Sequence, residues 1–83
     1  MASAAEEDER RRVRQLRAIV DLTTAILTQT RLDRAEAERL VAATRRRVLE
    51  LFPDKESTYD LILAPRFARL VDALAPQRLL NQP

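Results

Sequence analysis

Residues 32–53 read LDRAEAERLVAATRRRVLELFP, and this stretch carries both the start and the stop of one helix. Asp33 stands at an N-cap position, and Glu36 three residues on completes the pattern in which each side chain satisfies the other residue's backbone amide. Ala37, Leu40, Val41, Val48, Leu51 and Phe52 then recur at helical spacing and line one side. Pro53 ends the run, because it has no amide proton to donate and restricts the residue before it. The spacing predicts a helix from just after Asp33 to about Phe52.

Upstream, the chain from about Ala5 to Thr30 reads as one longer helix. Val13, Leu16, Val20 and Leu27 recur at spacings of three, four and seven. Ile19, Leu22 and Ile26 broaden the later part of the stripe to roughly 160°, too wide for a two-stranded coiled-coil seam. Ala5 to Arg12 carry no large apolar side chain, so residues 1–12 are expected to overhang the core as a charged helix end. The connection to the next helix is short, two or three residues, which predicts antiparallel neighbours.

Downstream, Asp54 or Ser57 is expected to cap a third helix containing Tyr59, Ile62, Leu63, Phe67, Leu70, Val71 and Leu74. Pro65 interrupts this segment while the apolar spacing stays in phase on both sides, so we expect a helix kinked or broken there. Phe52, Tyr59 and Phe67 should meet at a corner of the core, with the phenol hydroxyl of Tyr59 at its rim. Residues 76–83, with two prolines and only Leu79 and Leu80 to hold them, are expected to be a mobile tail. The fold class is therefore all-α: one domain over residues 1–75, a small three-helix bundle with a long N-terminal helix.

Composition points the same way. Of 83 residues none is glycine, where an average chain would hold roughly six, so hairpin turns that need positive φ are disfavoured. Alanine and leucine dominate the apolar set, and both favour helix. A chain this short buries only about 60 to 65% of its unfolded surface, so a partner would add to its stability.

The same counts narrow the chemistry. Without cysteine there is no disulfide framework and no thiolate, and without histidine the commonest general base and metal ligand is missing. Glycines for a phosphate-binding loop are absent. Glu36 and Glu38 point to different helix faces and make no acid and base pair. No catalytic residue, cofactor or metal site is expected. No run approaches the ~20 apolar residues that cross a bilayer, and a cytoplasmic protein with no membrane role is the expectation.

Fourteen arginines stand against a single lysine, with a net charge of +2. Arg10, Arg14 and Arg17 share one face of the first helix, a ridge that could follow phosphates. Against that, Glu6 with Arg10, Glu7 with Arg11 and Asp8 with Arg12 are spaced to pair within the helix. Arg45, Arg46 and Arg47 fan over about 200° at ~100° per residue and cannot form one patch; complementing the helix dipole is their expected part. Arg66 falls within the apolar stripe of the third helix, where a charge needs a carboxylate such as Glu50, Glu56 or Asp60, or else a partner. Leu22, Leu61 and Ala68 at stripe edges could add a modest apolar patch. The leading expectation is a helical protein-interaction module binding another protein or a second copy of itself, with Arg10, Arg14, Arg17, Leu61 and Arg66 as candidate contact residues. The alternative is a nucleic-acid-binding regulator that uses the arginine ridge.

Overall fold

A computed structural model of the chain describes residues 3–75, and these form three α-helices and no strand. Helix α1 spans Ala4–Gln29, α2 Arg34–Leu51 and α3 Glu56–Leu74. This is the expected three-helix bundle with a long first helix. The segment 76–83, expected as a tail, lies outside the described residues. All of residues 3–12 are exposed.

Two of the three helix starts are set by side chains. The hydroxyl oxygen of Ser3 accepts the Glu6 amide at 3.2 Å. At α2 the capping box forms as the sequence predicts: the Glu36 amide donates to Asp33 at 2.8 Å and the Asp33 amide to Glu36 at 2.9 Å. Helix α3 departs from expectation, since its N-cap is Lys55 and neither Asp54 nor Ser57 caps it. Asp54 falls one residue too early and Ser57 is already inside the helix. The turn closes through backbone instead, with the Lys55 amide donating to the Phe52 carbonyl at 3.0 Å and the Tyr59 amide to the Lys55 carbonyl at 2.9 Å.

Helix α3 runs as a single element through Pro65, so a break into two helices does not occur. The missing amide of Pro65 leaves the Leu61 carbonyl without its usual donor. Both residues are exposed, so water can take that place.

Cross-helix contacts show the topology. Thr23 meets Thr44, and Arg12 lies over the ring of Phe52, so α1 and α2 run antiparallel. Arg45 pairs with Asp60 and Arg34 with Asp72, which makes α2 and α3 antiparallel as well. The core comprises Leu27 of α1, Ala37 and Val48 of α2, and Tyr59, Phe67 and Val71 of α3 with Ala75 just beyond it. Leu16, Val20, Leu40, Leu63 and Leu70 pack against it half-buried.

Inside this apolar layer sits one polar contact that periodicity does not reveal. Thr23 and Thr44 are both buried, with their hydroxyl oxygens 2.7 Å apart. Thr44 also reaches the Leu40 carbonyl at 2.9 Å. A hydroxyl has one proton, so Thr44 donates to the carbonyl and Thr23 donates to Thr44. Removing one partner strands the other. We expect Thr44→Val to cost about 1–3 kcal/mol in urea unfolding, and Thr23→Val with Thr44→Val together to cost distinctly less than Thr44→Val alone.

Candidate functional site

The clearest concavity lies at the overhanging end of the bundle, where the three helices do not close. Val13 and Leu16 of α1, Val48 and Phe52 at the end of α2, and Tyr59, Ile62 and Leu63 of α3 surround an open groove of about 380 Å³. Its lining is wholly apolar at the surface, and Lys55 and Thr58 complete it. The groove lies where Val13 and Leu16 of α1 come beside the last turn of α2, while the preceding turns of α1 offer only charged and small side chains. Ile62 is 63% exposed there, although the stripe reading placed it in the core.

That displacement also moves Arg66. The buried line of α3 runs through Tyr59, Phe67 and Val71, flanked by Leu63 and Leu70, and Ile62 is not part of it. Its centre is therefore rotated away from Arg66, which is exposed instead of lying within the apolar stripe. Arg66 makes no ion pair among the described residues, and the three carboxylates considered for it are engaged elsewhere. Glu50 holds Arg47 at 3.0 Å, while Glu56 and Asp60 lie 3.5 and 3.2 Å from Arg45.

Arg45 thus has a different part from the dipole complement expected of it. From α2 it grips Asp60 through two nitrogens, at 3.2 and 3.3 Å, and its guanidinium lies 5.9 Å from the centre of the Tyr59 ring. The hydrogen bond to Asp60 holds its pKa above the ordinary arginine value. At the other end of the same pair of helices, Arg34 reaches Glu38 at 2.9 Å and Asp72 at 2.7 Å, and these bonds raise its pKa in the same way. Arg46 is exposed and unpaired among the described residues, so the three consecutive arginines indeed make no common patch.

On α1 the expected four-residue pairs do not form. Asp8 contacts Arg11 at 3.5 Å and Glu9 contacts Arg12 at 2.7 Å, both three residues on. Arg12 leans over the Phe52 ring, 5.6 Å from its centre, and on that side Glu9 is the carboxylate within reach. Arg10, Arg14 and Arg17 remain exposed and without ion pairs among the described residues. Leu61 is 78% exposed on α3 and Leu22 is 62% exposed on α1. Ala68 borders a shallow hollow with Val41, Ala42 and Arg45.

Tyr59 is buried, as expected of an aromatic at this corner, but its hydroxyl is not at a wet rim. The oxygen is buried and has no hydrogen-bond partner among the described residues. Burial pushes the phenol above its usual pKa, partly opposed by the nearby charge of Arg45. The described residues gather no group of three or more His, Cys, Asp or Glu side chains that could hold a metal ion. Among them no helix is long and apolar enough to cross a membrane. Comparison with protein-family models, with curated proteins and with solved structures found no match to the chain.

The solitary tyrosine makes its own test possible. Because its folded pKa is raised above the usual value of 10.0, the stabilisation it carries is fully present below that value. It is lost as the pH rises through the folded pKa. Absorbance titration of the native chain should place phenolate formation above 10.0, with unfolding midpoints falling over the same interval. In Tyr59→Phe that alkaline loss should diminish, and stability at neutral pH should rise by roughly 1 kcal/mol, because a buried hydroxyl without a partner is removed.

Proposed function

We propose that this chain is a small helical interaction module without catalytic activity, which binds another protein through the groove between α1, the end of α2 and the start of α3. The observation that carries this reading is the groove itself: an open, wholly apolar concavity with Ile62 63% exposed in it. A single exposed leucine is ordinary on a soluble protein; here apolar surface from three helices lies together in one concavity, and we take it as the contact. The thin core supports the reading, since a domain of this size gains from covering such a surface. We take the chain to act in the cytoplasm, where a domain without cysteine needs no disulfide to fold.

A second reading, binding of nucleic acid along α1, rests on Arg10, Arg14 and Arg17 being exposed and free of ion pairs. The two readings use different surfaces and separate cleanly. A partner captured from native extract by the chain should be lost with Ile62→Asp and retained when Arg10, Arg14 and Arg17 are all changed to alanine. Ile62 is exposed, so its substitution should leave helicity and the unfolding midpoint nearly unchanged, within the small range usual for surface changes. A chain that captures nothing, or whose capture is indifferent to Ile62, overturns the groove reading. Salt-sensitive duplex binding that vanishes with the arginines supports the second.

A further inference from the structure

We draw no further inference here: the strongest candidate, the open apolar groove between α1, the end of α2 and the start of α3, has exposed charges of both signs beside it, and nothing in the structure shows what covers it.

Discussion

Among the described residues, Phe67 from the middle of α3 is the one large side chain wholly withdrawn from water, and the bundle is organised around it. Burying a phenylalanine contributes about 1.5–3 kcal/mol, and here the neighbours are mostly medium or small: Leu27, Ala37, Val48, Val71 and Ala75, with Tyr59 the other ring. Such a core closes over the middle and far end of the bundle but not over the end where α1 overhangs. There the chain supplies Val13 and Leu16 and then only charged and small residues. An open apolar groove follows directly from a core that is short of material at one end.

The register of α2 against α3 is marked by charge as well as by the core. Arg34 near the start of α2 meets Asp72 near the end of α3, and Arg45 further along α2 meets Asp60 and Glu56 near the start of α3. These side chains are substantially exposed, so each pair adds little to stability. Their effect is to select one alignment of two antiparallel helices. The same pairing has a consequence on the opposite side of α3, because carboxylates drawn toward α2 are not available to Lys55 or Arg66. The uneven surface charge of a chain with net charge +2 therefore comes from where its acids are spent, more than from any large excess of basic residues.

What was legible in the sequence was what a few adjacent residues decide. Asp33 with Glu36 foretold the start of α2 and Pro53 its end, because a cap and a missing amide act within one turn. Ser3 with Glu6 has the same spacing, and attention to it would have located the start of α1 as well. What escaped was whatever depends on how helices are rotated against each other. Ile62 and Arg66 lie on the apolar stripe by spacing, yet a modest rotation of α3 about the line through Tyr59, Phe67 and Val71 places both at the surface. Thr23 and Thr44 carry no mark in the apolar spacing and form a buried pair, visible only once α1 and α2 are set in register. The groove belongs to the same class, since no single helix contains it.

The arginines of α1 are poorly placed to follow a nucleic acid. At ~100° per residue, Glu6, Glu7, Arg10, Arg14, Arg17 and Asp21 fall within a sector of about 100° along α1. The three cations are thus bounded by carboxylates at both ends of one face, and a phosphate backbone laid along it would meet like charge before and after. Binding to phosphates draws its strength from the number of cations engaged in sequence, and three so enclosed engage few.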